Sequence, residues 1–256
     1  MNERLEQRVL GALCLVDRVT GGAVGRELRV RSAQLILRRN ARGYHVIVGA
    51  EGLEEHTAAF AHPPASPPLG SRGYLVEISD PLARYLPRTV SVHLPRDPDP
   101  VGARAEDSLF RPLTVPIYPA ATARLSPNWS SVRVSLSRGD DPLTATPVRG
   151  ALLRIVAEAD SATLASGISD QRGEALVIVP GVPLTKFAAE EDGGGDDEAP
   201  VVVNSLPVRL ELSLGDTDPW PVDPDLLESN HAANRRLSMP LTLSTGKMEK
   251  VAINLT

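Results

Sequence analysis

The hydrophobic and polar positions along the chain form short apolar runs separated by turn-forming residues. Residues 9–16 are an apolar run of strand length, and the polar, glycine-rich residues 17–22 follow it. Aliphatic and β-branched residues return at 28–37 and at 44–48, with Asn-Ala-Arg-Gly at 40–43 between them. This pattern predicts strands joined as hairpins.

Residues 1–96 are predicted to form an N-terminal β-sandwich domain. Residues 62–70 contain four prolines, which cannot donate to a strand ladder, so this segment is predicted to be an extended loop. Further strands are expected at 74–78 and 89–94. The polar stretch 97–112 begins Asp-Pro-Asp-Pro and is interpreted as a proline-rich linker.

Residues 113–256 are predicted to form a second β-sandwich domain. At 256 residues the chain is long for one sandwich of about 100 residues and sufficient for two. The predicted fold class is therefore all-β, with two tandem antiparallel sandwiches of immunoglobulin-like or transthyretin-like type. Strands of the second domain are expected at residues 113–118, 131–137, 151–156, 175–179, 201–203, 208–214, 237–243 and 250–255.

One short pattern occurs once in each predicted domain. Asn-Ala-Arg-Gly at 40–43 precedes Val-Ile-Val at 46–48, and Asp-Gln-Arg-Gly at 170–173 precedes Val-Ile-Val at 177–179. Asn or Asp can bond to the backbone two residues further on, and Gly allows positive φ, so both segments predict a tight turn into a strand. The two domains are repeats of each other, or two generic hairpins are similar by chance.

Charge and hydropathy limit the classes of partner and the location. The formal net charge is -5, from 27 Lys and Arg against 32 Asp and Glu, so no basic surface for nucleic acid is expected. No run approaches the roughly 18 apolar residues of a membrane helix, so no membrane insertion is expected. Glu3 and Glu6 lie where a signal peptide carries positive charge, and cytoplasmic synthesis is expected.

The residues that usually carry catalysis show no recognisable arrangement. The five histidines are scattered and lack metal-ligand spacing, and Cys14 is the single cysteine. Residues 165–169 contain serines, but they are interpreted as a turn between strands and not as a nucleophile elbow. The sequence lacks a dinucleotide-binding or phosphate-binding glycine motif. No catalytic residue and no cofactor are predicted, and the chain is expected not to be an enzyme.

Binding sites are predicted in the acidic and proline-rich segments. Acidic side chains are concentrated in a predicted loop at 188–200 and in residues 216–225. Calcium prefers such oxygen ligands, but the ordered spacing of a calcium loop is missing, so solvated loops and no metal site are predicted, with calcium as the alternative. The calcium candidates are Asp216, Asp218, Asp223 and Asp225. The candidates for binding a protein partner are Pro63, Pro64, Pro67, Pro68 and Trp220.

Two resemblances to known families extend these expectations. Pro-Val-Arg-Gly-Ala-Leu-Leu-Arg-Ile at 147–155 and Gly-Ile-Ser-Asp-Gln-Arg-Gly-Glu-Ala-Leu at 167–176 resemble the carboxypeptidase regulatory-like, transthyretin-like sandwich. Members of that family are similar to accessory or structural modules. Residues 80–88, 108–112 and 115–119 resemble small proteins encoded beside phage-tail-like contractile injection systems.

These resemblances imply a structural or interaction protein that docks onto protein subunits of a larger assembly, such as a contractile injection particle. The alternative is a ligand-binding or adhesive β-sandwich module, with calcium as a candidate ligand.

Overall fold

The computed structural model describes residues 8–58, 64–139, 141, 144–182, 205–215 and 220–255. The chain divides into two compact units. Unit 1 comprises Met1–Ile117 and Pro221–Asp225, and unit 2 comprises Tyr118–Trp220 and Leu226–Thr256. The predicted acidic loop at 188–200 and the predicted strand at 201–203 lie outside the described residues.

Unit 1 is a sandwich of two sheets. Its described strands are β1 (Gly11–Asp17), β2 (Arg29–Arg31), β3 (Leu35–Arg39), β4 (His45–Ala50), β5 (Arg72–Ser79), β6 (Arg88–Leu94) and β7 (Leu113–Ile117), with helix α1 (Glu54–Ala58) between β4 and β5. The sheet orders are β3-β4-β1-β7 and β2-β5-β6. Leu13 and Ile47 from the first sheet pack in one buried cluster with Val76 and Val92 from the second. Alternate apolar positions along each strand therefore form the core.

Unit 2 is also a sandwich. Its described elements are β8 (Ser130–Arg138), β9 (Thr146–Pro147), β10 (Leu152–Ala157), β11 (Thr163–Ile168), β12 (Glu174–Val179), β13 (Ser205–Ser213), α3 (His231–Asn234), β14 (Arg235–Ser244) and β15 (Met248–Leu255); helix α2 (Pro224–Ser229) precedes α3. The sheet orders are β11-β10-β13-β14 and β12-β8-β15, and β9 pairs with β8. Val134 and Val177 pack against Ile155 and Leu210 across the two sheets. The prediction of an all-β fold is confirmed.

The two units share a topology. In each, the first strand pairs in parallel with the last, β1 with β7 and β8 with β15. In each, the first strand also pairs antiparallel with the strand that follows the Arg-Gly turn, β4 in unit 1 and β12 in unit 2. The described strands of the two units differ in that β3 pairs with β4 whereas β11 pairs with β10, and in the short β9 of unit 2. The similarity of the two turn sequences therefore reflects equivalent positions in the two sandwiches.

The predicted boundary between the domains differs from the structure. Residues 113–117, assigned to the second domain from the sequence, form β7 and pair with β1 from Leu13↔Leu113 to Asp17↔Ile117. Residues 97–112, interpreted as a linker, fold back as a loop of unit 1: Asp97 forms an isolated β-bridge with Ser108, and Leu109 N donates to Asp97 O at 2.8 Å. A parallel partner is distant in sequence, so a local pattern does not reveal it.

Local patterns also missed several short elements. Residues 165–169, interpreted as a turn, include the end of strand β11, in which Ser166 is buried. The three short helices were not predicted. No helix within the described ranges is long and apolar enough to cross a membrane.

The outer edge of β6 is covered by residues 221–225, which we call the strap. Thr89 N donates to Val222 O at 2.8 Å, and Ser91 N donates to Asp223 Oδ2 at 3.2 Å. The strap belongs to unit 1 although it follows β13 in the chain. Backbone N–H groups of the edge strand are thereby hydrogen-bonded.

Candidate functional site

A cleft of about 120 Å³ lies in unit 1, and we call it the proline cleft. It is formed by the residues before β1, helix α1, the proline-rich segment before β5 and the loop after β6. Its described lining is apolar except for three basic side chains, and it contains no acidic side chain. The lining residues are Arg8, Val9, Leu10, His56, Pro64, Ala65, Pro67, Leu69, Pro95, Arg96, Pro98 and Leu109.

The proline-rich segment forms one wall of the cleft because it cannot join a sheet. Prolines lack the N–H group that a strand ladder requires. Gly70, with φ +66°, turns the chain and donates its N–H to Pro95 O at 2.8 Å. Ser71 Oγ donates to Pro68 O at 2.7 Å. These bonds fasten the segment to the chain that leaves β6 and keep the proline rings available as an apolar surface.

Arg96 forms a buried positive charge at the cleft. The residue is 9% exposed, and its Nε donates to Ser108 O at 3.0 Å. Its Nη2 donates to the carbonyl oxygens of Glu106 and Arg111. None of the ion pairs among the described residues includes Arg96, and its Nη1 makes no hydrogen bond with them. Burial, and to a smaller degree Arg111, lowers the pKa of Arg96 against the opposing effect of Asp107.

The position of Arg96 depends on a glycine in β1. A Cβ atom at Gly11 would lie 3.2 Å from Arg96 Cδ, so the absence of a side chain leaves room for the aliphatic part of the arginine. The loop at 97–112 supplies the carbonyl oxygens that surround the guanidinium group. The predicted linker is therefore a loop folded around a cation.

His56 contributes a second buried polar group. It is 5% exposed, and its Nε2 has no hydrogen-bond partner. Burial lowers the pKa of His56, and Arg8 and Arg72 add to this effect, whereas Glu55 and the Pro64 backbone raise the pKa. The ring is therefore neutral near pH 7. Buried polar atoms without a partner are uncommon in folded proteins and require an explanation.

The residues predicted to bind a partner are divided between different places. Pro64 and Pro67 line the cleft. Pro68 lies in the same segment and holds Ser71, whereas Pro63 lies outside the described residues. Trp220 is half-buried and is assigned to unit 2, so it does not belong to this lining.

Two of the predicted calcium ligands are bound to an arginine. Arg88 is fully buried, and its Nη2 contacts Asp223 Oδ1 at 3.2 Å and Asp225 Oδ2 at 2.6 Å. Its Nη1 donates to Pro116 O at 2.8 Å. Burial raises the pKa of Asp223, against the opposing effect of Arg88. This geometry does not support calcium at Asp223 and Asp225, because a guanidinium group already holds both carboxylates.

The remaining calcium candidates, Asp216 and Asp218, lie outside the described residues. Within the part of the chain that the structure describes, no group of three or more His, Cys, Asp or Glu side chains is arranged to hold a metal ion.

Sequence patterns missed a row of serine, histidine and glutamate in unit 2. Ser213 Oγ lies 2.6 Å from His231 Nδ1, and His231 Nε2 lies 2.7 Å from Glu211 Oε2. Arg235 Nη1 donates to Glu211 Oε1 at 3.3 Å. Glu211 and Ser213 alternate on β13 with core leucines, which indicates a shared outer face, but the contact with His231 depends on the tertiary fold.

This row resembles a catalytic triad in its residue types but not in its accessibility. Ser213 is 0% exposed, so a substrate carbonyl cannot approach its hydroxyl group. Ser213 Oγ also lies 3.3 Å from His231 O. The geometry is that of an internal hydrogen-bond network that holds α3 against β13.

The chain shows little similarity to known proteins. No protein-family description and no curated protein sequence matches the chain. Among solved structures, the chain is similar to GBS52, the minor pilin of Streptococcus agalactiae, with 9% identity, 95% of this chain and 94% of that chain covered, and a TM-score of 0.28. It is also similar to the TIE protein of Bacillus anthracis, with 11% identity and a TM-score of 0.26, over 96% of this chain and 34% of that chain. At these TM-scores the similarity carries no argument about fold or function.

Proposed function

We propose that the chain is a non-enzymatic interaction module that binds a partner protein through the proline cleft. The observation that carries this proposal is an apolar cleft with exposed apolar side chains around it. Leu69 lines the cleft and is 52% exposed, and Phe110, which follows the lining residue Leu109, is 55% exposed. Val101, in the loop that surrounds Arg96, is 93% exposed. An apolar cleft with an exposed apolar side chain in its lining is typical of an interaction surface.

A non-enzymatic role agrees with the chemistry of the polar clusters. The Ser213–His231–Glu211 row is enclosed, and Arg88 neutralises Asp223 and Asp225. Both arrangements stabilise the fold internally. The cleft, in contrast, combines accessible apolar surface with a buried cation and a histidine nitrogen without a partner.

We further propose that the partner belongs to a larger assembly, and the sequence resemblances support the kind of assembly. Residues 80–88 resemble proteins encoded beside phage-tail-like contractile injection systems, and residues 147–155 resemble carboxypeptidase regulatory-like modules. On this basis the partner would be a subunit of a contractile injection particle. Purification of such particles from the native host, with and without a cleft substitution in this chain, would test the assignment.

Site-specific photo-crosslinking tests the proposed function. A benzophenone amino acid placed at Leu69 or Phe110 is expected to crosslink one defined protein, and the same group at the exposed Leu82 is expected not to. Ala65→Trp, which fills the cleft, should remove the crosslink. Ala41→Trp, in the exposed turn of unit 1, is the matched control and should leave it intact. Equal crosslinking from Leu69 and Leu82, or no effect of Ala65→Trp, would contradict the proposal.

A further inference from the structure

We infer that the proline cleft binds the C-terminal residue of its partner, with an aliphatic side chain in the apolar part and the terminal carboxylate between Arg96 and His56. The inference rests on the proposed function and specifies its ligand. Three properties of the cleft support it: the basic side chains of its lining, the His56 Nε2 atom without a hydrogen-bond partner, and its size.

Charge complementarity favours an anion. The described lining contains Arg8, His56 and Arg96 and no acidic residue, although the whole chain carries a formal charge of -5. A basic cleft attracts an acidic group. A carboxylate is the anion that every protein partner carries at its C-terminus.

The environment of Arg96 strengthens this argument. Its guanidinium group is buried and bonded to carbonyl oxygens, which satisfy donors but do not neutralise the charge. Among the described residues no carboxylate is bonded to this guanidinium group, although the charge of Asp107 acts on it, and charge-assisted hydrogen bonds to a carboxylate are among the strongest in proteins. Because Arg96 lines the cleft and Nη1 makes no bond with the described residues, a carboxylate there would gain a donor and neutralise the buried cation.

His56 supplies the second contact. Its Nε2 is buried at the cleft with no hydrogen-bond partner. A carboxylate oxygen beside this nitrogen favours the protonated ring, in which Nε2–H donates to the ligand. Binding would therefore satisfy an atom that the isolated chain leaves without a partner.

The size of the cleft favours a C-terminal residue over an internal acidic side chain. About 120 Å³ accommodates little more than one side chain. A C-terminal leucine or valine carries an aliphatic group and a carboxylate on the same residue. An internal Asp or Glu would need a neighbouring residue to fill the apolar part between Pro64, Pro67 and Leu69. Capture of a C-terminal carboxylate is an established mode of peptide recognition.

The experiment uses N-acetyl-leucine as a probe of the full chain and N-acetyl-leucinamide as its uncharged analogue. Binding is followed in every variant by titration calorimetry, and in chains that retain His56 also by NMR chemical shifts of its ring. The carboxylate probe is expected to bind at least about tenfold more tightly than the amide, as loss of a charge-assisted contact implies. An internal acidic peptide, acetyl-Leu-Glu-Leu-amide, distinguishes the two sources of a carboxylate and is expected to bind more weakly than N-acetyl-leucine.

Two variants accompany the probes. His56→Phe keeps a buried ring and removes Nε2, and it should weaken N-acetyl-leucine binding while the amide is unaffected. Ala65→Trp should abolish binding of both probes, and Ala41→Trp should change the binding of neither.

Equal affinity for acid and amide, tighter binding of the internal acidic peptide, or absence of His56 shifts in the folded wild-type chain would overturn the inference. Absent probe binding with intact crosslinking from Leu69 would overturn the inference alone. Probe binding without a specific crosslink from Leu69 would overturn the proposed function, and the cleft would then be a carboxylate site without a protein partner.

Discussion

The side chains of Asn40 in unit 1 and Asp170 in unit 2 accept the same two backbone hydrogen bonds in equivalent turns. The Asn40 side chain accepts from Arg42 N and Tyr44 N, both at 3.0 Å, and the Asp170 side chain accepts from Arg172 N at 2.8 Å and Glu174 N at 3.0 Å. In both turns the glycine at the fourth position has positive φ, +86° at Gly43 and +75° at Gly173. The two residue types serve one function because each offers a side-chain oxygen at the same distance from the backbone.

The two glycines differ in their surroundings, which predicts unequal effects of substitution. A Cβ at Gly173 would lie 2.2 Å from Leu136 O, whereas the nearest atom to a Cβ at Gly43 is the flexible end of Arg39 at 3.7 Å. Gly43→Ala should cost about 1–2 kcal/mol, from positive φ alone. Gly173→Ala should cost about 2–5 kcal/mol in unit 2, since backbone must also move. Urea denaturation would measure both, and equal losses would contradict the prediction.

The Arg88 interaction with the strap is expected to be important for the stability of unit 1. Arg88→Met leaves Asp223 buried without its counter-charge and should lower the free energy of unfolding by about 3–5 kcal/mol. Arg172→Met, which removes a largely exposed partner of Asp170, is the matched control and should cost at most about 1 kcal/mol. Urea denaturation of both variants provides the comparison. A loss for Arg88→Met no larger than that of the control would refute this role.

Asp80 is expected to make the folding stability of unit 1 decrease at acidic pH. Burial alone would raise the pKa of Asp80, but the N–H groups of Leu82 and Arg84 and the Arg26 side chain outweigh it, so the pKa lies below its ordinary value. The contribution of ionised Asp80 to folding stability is therefore complete above the unfolded-state pKa of about 3.9. It is lost as the pH falls through that value and then through the folded-state pKa.

Asp80→Asn should lower stability at neutral pH by about 1.5–3 kcal/mol and make the loss on acidification shallower. Thermal unfolding followed between about pH 7 and pH 2.5 tests this. Asp160→Asn, at a turn where the carboxylate accepts a bond from Ala162 N, is the control. The same acid profile in Asp80→Asn and wild type would exclude the predicted linkage.

Binding at the proline cleft should depend on pH through His56. Burial, with Arg8 and Arg72, lowers the pKa of His56 against Glu55, and a bound carboxylate would raise it, so binding takes up a proton. The affinity for N-acetyl-leucine should increase from about pH 7.5 to about pH 5.5, a range in which the probe stays ionised. His56→Phe should remove this dependence. Titration calorimetry in two buffers of different ionisation enthalpy would count the protons, and an unchanged affinity would contradict the mechanism.

Local patterns predicted most of the strands but not the partner of each. Alternation in β8 and the apolar run in β12 identify strands because one face or both faces are buried. The assignment of β7 to the second domain was wrong because its partner, β1, lies about a hundred residues earlier in the chain. Sequence spacing does not reveal such a parallel pair.

The candidate site could be predicted only in part. Pro64 and Pro67 were identified because proline cannot join a sheet and leaves an apolar loop. Arg96 was not predicted because its burial depends on the loop at 97–112, which was interpreted as a linker. His56 was not predicted because the absence of a hydrogen-bond partner at its Nε2 is a property of the tertiary fold. The contact of Asp223 and Asp225 with Arg88 could not be predicted, because Arg88 comes from a strand more than a hundred residues away.

The strap also affects how unit 1 behaves among other copies of the chain. A strand at the edge of a sheet presents backbone groups that can pair with any other strand, and this is a common route to aggregation. On β6, Thr89 N and Ser91 N are already bound to Val222 and Asp223. Release of the strap, as in Arg88→Met, would therefore expose the backbone groups of β6 to pairing with other copies of the chain. The extent of aggregation would increase with protein concentration.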